Sequence, residues 1–166
     1  GRVKHIARLE DSMAVIFPYE VPIFKRNNVQ VTFMGHPLID MVRPALSRRE
    51  ALEHFNLQQE KTTIGLLPGS RDSEVNSILP RMLEAASILD RKKGRFQFIL
   101  PIAPTCNESL VYGILSKCDV QVTVCKDRYY DVINVSDLLV VASGTATLEA
   151  ALLGVPMVIV YRTSLL

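Results

Sequence analysis

The chain has 166 residues, 48% of them hydrophobic, and 19 Lys and Arg against 17 Asp and Glu give a net charge of +2. That is apolar material for one core or slightly more, and so even a charge balance does not call for nucleic acid as a partner. No apolar run reaches the roughly 18 residues a bilayer-crossing helix needs, and the amino end lacks the apolar stretch of a signal peptide. Cys106, Cys118 and Cys125 form no CxxC pair and read as reduced thiols of a cytosolic protein. His5, His36 and His54 are too scattered to build a zinc site with them.

In chain order, helix and strand alternate. A helix is expected over residues 2–12, a buried strand over 13–17, a second helix over 19–28 and an alternating strand over 29–34. Gly35-His36-Pro37 breaks the pattern. Residues 38–46 follow Pro37, carry Pro44 and read as a linker, which puts a domain boundary near residue 40. Ser47 with Glu50 has the capping-box spacing and opens a helix to about Phe55. A strand over 62–67 precedes Pro68-Gly69-Ser70-Arg71, a turn of small residues. The helix after it carries Val75, Ile78, Leu79, Met82, Leu83 and Ala86 at spacings of three and four, with Pro80 predicting a kink near 76–77. Strands over 95–100 and 120–125 flank a helix over 107–117, and another short helix covers 127–135. Leu138 to Ala142 is a strand, and Ser143-Gly144-Thr145-Ala146-Thr147 is a second small-residue turn, opening a helix that stops at Gly154. A last strand covers 157–161. The chain begins inside a helical pattern and ends on Leu165-Leu166 without a polar finish, so it reads as an internal piece of a longer protein.

This rhythm predicts a Rossmann-like, doubly wound parallel α/β sheet, whose ligands bind at the carboxyl ends of the strands. Both turns leave strands at that end and can converge on one ligand. Neither is a P-loop, and GxGxxG is absent, which argues against hydride transfer. Small residues let an anion approach the free N–H groups of a first helical turn, where the helix dipole favours it. Gly69, Ser70 and Arg71 offer backbone, hydroxyl and a fork of donors suited to phosphate, and Arg71 can stabilise charge growing on a leaving phosphate. Ser143, Gly144, Thr145, Ala146 and Thr147 offer the other phosphate loop, and Glu149 can accept from a ribose diol. Against this stand plainer roles. Ser143 or Thr145 can simply cap, Arg71 can pair with Asp72 or Glu74, and Glu149 can be solvated. His36 reads mainly as a brace for its turn, Arg162 as an exposed strand end, and Tyr129-Tyr130 as core packing rather than a base stack. No carboxylate or histidine stands out as a general base.

Three phrases, FMGHPLID over 33–40, LPGSRDSE over 67–74 and SGTATLEAALLGVPMVIVYR over 143–162, resemble the lipid-A-disaccharide synthases, bacterial glycosyltransferases of the GT-B architecture. The resemblance runs along essentially the whole chain. It implies that residues 1–40 end an acceptor-binding domain and that 41–166 form an incomplete domain for the UDP-sugar. It implies transfer from UDP-2,3-diacylglucosamine to 2,3-diacylglucosamine 1-phosphate with inversion, at the cytoplasmic face of the inner membrane, with no cofactor or metal. The peripheral membrane contact and any homo-oligomer would belong to the full-length protein. The general base is expected outside this chain, which alone should bind part of a nucleotide without catalysis. A non-hydrolysing UDP-N-acetylglucosamine epimerase shares the turn logic, and a noncatalytic nucleotide-binding module is a rival of another class. Tyr161-Arg162 and the phrase around His36 favour the synthase.

Overall fold

The computed structural model describes residues 2–91 and 94–162, which fall into two compact units, Gly1–Met41 and Val42–Leu166. The apolar end at Leu165-Leu166 lies outside the described residues.

The smaller unit holds α1 (Arg2–Ile6), β1 (Ser12–Val15), α2 (Glu20–Lys25), β2 (Gln30–Phe33) and α3 (Leu38–Met41). β1 and β2 pair in parallel, and Val15, Phe24 and Val29 form their small core. The first helix is shorter than its apolar pattern suggests, because residues 7–9 continue as turns. Residues 38–41, expected to be linker, form a helical turn. His36 explains it: its Nδ1 accepts the Leu38 N–H at 3.2 Å, satisfying a donor that Pro37 leaves without a cap, and its ring packs on Phe17 at 5.2 Å. His36 thus takes the role of turn brace.

The larger unit holds α4 (Arg48–His54), β3 (Thr62–Leu67), α5 (Asp72–Asp90), β4 (Phe96–Pro101), α6 (Glu108–Leu115), β5 (Val122–Cys125), α7 (Tyr129–Val135), β6 (Leu138–Ala142), α8 (Thr145–Leu152) and β7 (Met157–Val160). α4 starts on the expected capping box: Glu50 Oε2 accepts the Ser47 N–H at 2.8 Å, and Ser47 Oγ accepts the Glu50 N–H. α8 ends in a Schellman motif. Gly154, at φ +69°, lets its own N–H reach Ala151 O and the Val155 N–H reach Ala150 O. α5 runs through Pro80 as one helix; the carbonyl freed at Asn76 is on an exposed residue, where water can take it.

All strand pairs of the five-stranded sheet are parallel, in the order β5-β4-β3-β6-β7. Side-chain alternation sends Ile64, Leu66, Phe98 and Leu100 to one face, beneath Val75, Leu79, Met82 and Leu83 of α5 and Val111 of α6. The other face takes Ile99 against Ala51, Val132 and Val135, and Leu67, Leu139 and Val141 against Ile133 and Ala150. Both faces are therefore covered over β3, β4 and β6, as a parallel sheet requires, whereas Val158 and Ile159 of the edge strand β7 stay exposed. Each large side chain buried this way contributes about 1.5–3 kcal/mol.

The chain order steps from β3 outward through β4 to β5, then returns to the other side of β3 for β6 and β7. β3 and β6 are thus the strands at the reversal, and Gly65 lets them meet. A Cβ there would lie 2.5 Å from Leu139 Cδ2 and 2.6 Å from Ser136 Oγ. Gly65→Ala is therefore expected to cost about 1–3 kcal/mol, read as a lower urea midpoint for the larger unit. An unchanged midpoint would mean that this packing is not tight.

Candidate functional site

The reversal places two turns side by side. β3 pairs with β6 through Leu67↔Val141, so Pro68-Gly69-Ser70 and Ala142-Ser143-Gly144 leave neighbouring strands at the same carboxyl end. This is the switch point at which an open parallel sheet binds ligands. A cleft of about 620 Å³ opens there.

One wall is the first turn. Gly69 sits at φ +115°, and a Cβ on it would run into the Glu74 side chain. Both the backbone and the space require glycine. Glu74 Oε2 accepts the Ser70 N–H at 3.2 Å, and its Oε1 takes the Arg71 guanidinium at 2.6 Å. Burial pushes the Glu74 carboxyl up, but Arg71 and the backbone N–H groups outweigh it, and the net shift is downward. Arg71 thus makes the ion pair with Glu74 while lining the cleft. A third loop is tied to this turn: Thr105 Oγ1 donates to Ser70 O at 2.7 Å, and Asp72 Oδ1 accepts the Asn107 N–H at 2.8 Å.

The opposite wall is the second turn. Gly144 precedes α8 with no side-chain cap, which leaves first-turn N–H groups without one. Its backbone is extended (φ 164°), and a Cβ would meet nothing within 4 Å. Neither conformation nor protein packing demands glycine at this position, and Gly144 lines the cleft. What its missing side chain keeps open is space in the cleft. Ser143, Thr145 and Ala146 line the same wall. Thr147 is not among the lining residues; its hydroxyl donates back to Gly144 O at 2.7 Å and braces the turn.

Glu149 also reaches the cleft, and it is not a solvated surface group. Its Oε2 accepts the Tyr129 hydroxyl at 3.0 Å and its Oε1 the Tyr130 hydroxyl at 3.2 Å. The tyrosine rings pack on the core of that face, as expected, but both residues also line the cleft, and their hydroxyls reach the Glu149 carboxylate there. Burial first, and then the charge of Glu149, push both phenols upward. Arg162 is exposed and not among the lining residues.

The family model described as lipid-A-disaccharide synthetase matches residues 1–166. The lipid-A-disaccharide synthase of Geobacter sulfurreducens is 48% identical over 164 residues, which are 99% of this chain and 43% of that protein. That of Syntrophus aciditrophicus is 45% identical, over all of this chain and 44% of its own length. The chain belongs to the lipid-A-disaccharide synthase family. It spans less than half the length of these relatives. Among solved structures, UDP-GlcNAc 2-epimerase from Neisseria meningitidis matches with a TM-score of 0.69 at 15% identity, over 95% of this chain and 46% of that one. A family 9 glycosyl transferase from Veillonella parvula matches with 0.54 at 16%, over 95% and 60%. At such identities the likeness is one of fold, the Rossmann-like fold of GT-B glycosyltransferases.

Three contributors to the cleft of this family member were not singled out from the sequence. Lys126 follows β5 and pairs with Glu108 at 2.5 Å. Pro101 at the end of β4 and the loop 102–104 that follows it form another side. The tyrosine hydroxyls are the third. The signal available for the first two was position alone: each follows a parallel strand at its carboxyl end.

Two outcomes test this geometry without any ligand. Gly144→Ala is expected to leave the melting temperature unchanged, in contrast to Gly69→Ala, which forces a methyl into Glu74 and lowers it. In an alkaline absorbance titration, Glu149→Gln is expected to lower the pH at which Tyr129 and Tyr130 ionise, because it removes a negative charge beside both phenolates. Burial remains, so Tyr129 stays above an exposed phenol.

Proposed function

We propose that this chain carries the donor-nucleotide site of a lipid-A-disaccharide synthase. The whole enzyme transfers 2,3-diacylglucosamine from its UDP donor to 2,3-diacylglucosamine 1-phosphate, and releases lipid A disaccharide 1-phosphate and UDP. The observation that carries the reading is the meeting of both small-residue turns and Glu149 on one cleft. Family membership supports the choice of reaction.

In this reading the open space at Gly144 and the first-turn N–H groups of α8 take one phosphate of the donor. Ser143, Thr145 and Ala146 line that seat, and Thr147 holds its backbone. Gly69, Ser70 and Arg71 take the other phosphate, and Glu149 accepts the ribose hydroxyls. The bond that breaks joins the anomeric carbon to the leaving phosphate oxygen. The bond that forms joins the same carbon, from its opposite face, to the acceptor hydroxyl, whose proton passes to a base. Negative charge grows on the departing UDP, and Arg71 with the helix N–H groups stabilises it. We assign that base to a part of the family protein outside residues 1–166, so this chain alone binds UDP without transfer. No cofactor enters the reading, and UDP binding is independent of divalent cations. Among the described residues no helix is long and apolar enough to cross a membrane. The reading sets the full-length enzyme at the cytoplasmic face of the inner membrane as a peripheral protein.

Calorimetric titration of the chain with UDP, UMP and NAD checks this. UDP is expected to bind tightest, with affinity unaltered by EDTA. Arg71→Ala should weaken UDP about tenfold, as loss of one charge-assisted contact does, and UMP less. Equal binding of UDP and NAD would refute the assignment.

A further inference from the structure

We infer that Tyr129 and Tyr130 are positioning residues that aim the Glu149 carboxylate at a ribose diol, and so set a preference for ribonucleotides over deoxyribonucleotides. The inference rests on the nucleotide reading of the cleft and adds to it what selects the sugar.

The geometry is particular. Each carboxylate oxygen of Glu149 accepts one tyrosine hydroxyl, Oε2 from Tyr129 and Oε1 from Tyr130. One such bond would leave the carboxylate free to rotate about it, whereas two from different directions fix both its place and the tilt of its plane. The rings stand edge to face, 62° apart with centroids at 5.5 Å, so the two donors do approach from different directions. A carboxylate oxygen has about two acceptor positions, so one remains on each oxygen after the tyrosines are served. Two adjacent acceptors at a fixed spacing match the two adjacent hydroxyls of a ribose. They match a 2′-deoxyribose, with one hydroxyl, only half as well.

The donors are themselves held. Both tyrosines stand in the first turn of α7, and their rings pack on the core beneath. Asp131 in the same turn is buried, accepts the Leu46 N–H at 2.8 Å and pairs with Arg128 at 3.6 Å. The phenols are pushed toward their neutral, donating form, so they stay donors across the physiological range. A pair of tyrosines serving only to tie α7 to α8 would satisfy the same contacts, and selectivity for the sugar separates the two roles.

The test titrates UDP and 2′-deoxy-UDP into the chain and into its Tyr129→Phe, Tyr130→Phe and doubly substituted forms, with melting curves to confirm folding. The original chain is expected to favour UDP by about tenfold, the value of one hydrogen bond to a charged group. The double variant should bring that ratio to roughly one to three while changing 2′-deoxy-UDP affinity less than about twofold. If the double variant does not fold, Tyr130→Phe, on the less buried ring, is read for the same fall in ratio. An unchanged ratio, with both affinities falling together, overturns the inference and leaves a purely structural tie. So does equal binding of UDP and 2′-deoxy-UDP to the original chain, without touching the nucleotide reading. Failure of the original chain to bind UDP at all overturns both.

Discussion

The parallel pairing of β3 with β6 is the constraint on which the rest of the larger unit depends. Five strands could cover both faces with helices in several orders. Only an order with β3 and β6 adjacent sets the Gly69 and Gly144 turns next to each other, about seventy residues apart in sequence. The adjacency has a local requirement in Gly65, whose missing side chain accommodates Leu139 and Ser136. Packing beneath the sheet thereby fixes the geometry above it. The glycines of this unit serve different ends accordingly. Gly65 yields space to a neighbouring strand, Gly69 to the Glu74 side chain, and Gly154 takes the left-handed turn that stops α8. Gly144, like Gly113 of α6, yields space to nothing in the chain itself, and what sets Gly144 apart is that its open space lies in the cleft.

The alternation of strands and helices was legible because each element is short and bounded by small residues or proline. α5 could be read from Val75 to Ala86 at helical spacing, and α4 from Ser47 and Glu50. The turn after Gly35 misled, since a proline at 37 reads as a breaker, yet proline fits the start of a helix and His36 supplies the missing acceptor. In the site, the two turns were legible because small residues after a strand and before a helix have a direct chemical meaning. Lys126, the segment 101–104 at the end of β4 and the tyrosine hydroxyls were not. Their contribution depends on strand order, and strand order is not written in local pattern. Tyrosine adds a second difficulty: one side chain packs its ring on the core and extends its hydroxyl to a carboxylate that lines the cleft, so a choice between core and site is a false one for it.

Charge in the cleft is arranged in pairs rather than as a positive basin. Arg71 rests on Glu74 and Lys126 on Glu108, both near the surface. An anion entering the cleft would exchange one carboxylate partner of Arg71 for another anion. Exposed ion pairs of this kind contribute about 0–1 kcal/mol, so the exchange sacrifices little. In return Arg71 waits close to the turn, its guanidinium already ordered, which lowers the entropy lost on binding. The pairing that looked like a rival to a phosphate role is thus compatible with it.

Glu149 stands differently from Glu74. Its partners are neutral hydroxyls, which hold a carboxylate without neutralising it. A phosphate brought near it would be repelled, whereas a hydroxyl is attracted. The cleft thereby distinguishes its two ends: uncapped N–H groups and Arg71 on the turns, and an uncompensated acceptor one helical turn further along α8. A ligand with phosphate at one end and a diol at the other can satisfy both in only one orientation. For the nucleotide we propose, the order of charge along the cleft would select the direction in which it lies, before any contact to its base is considered.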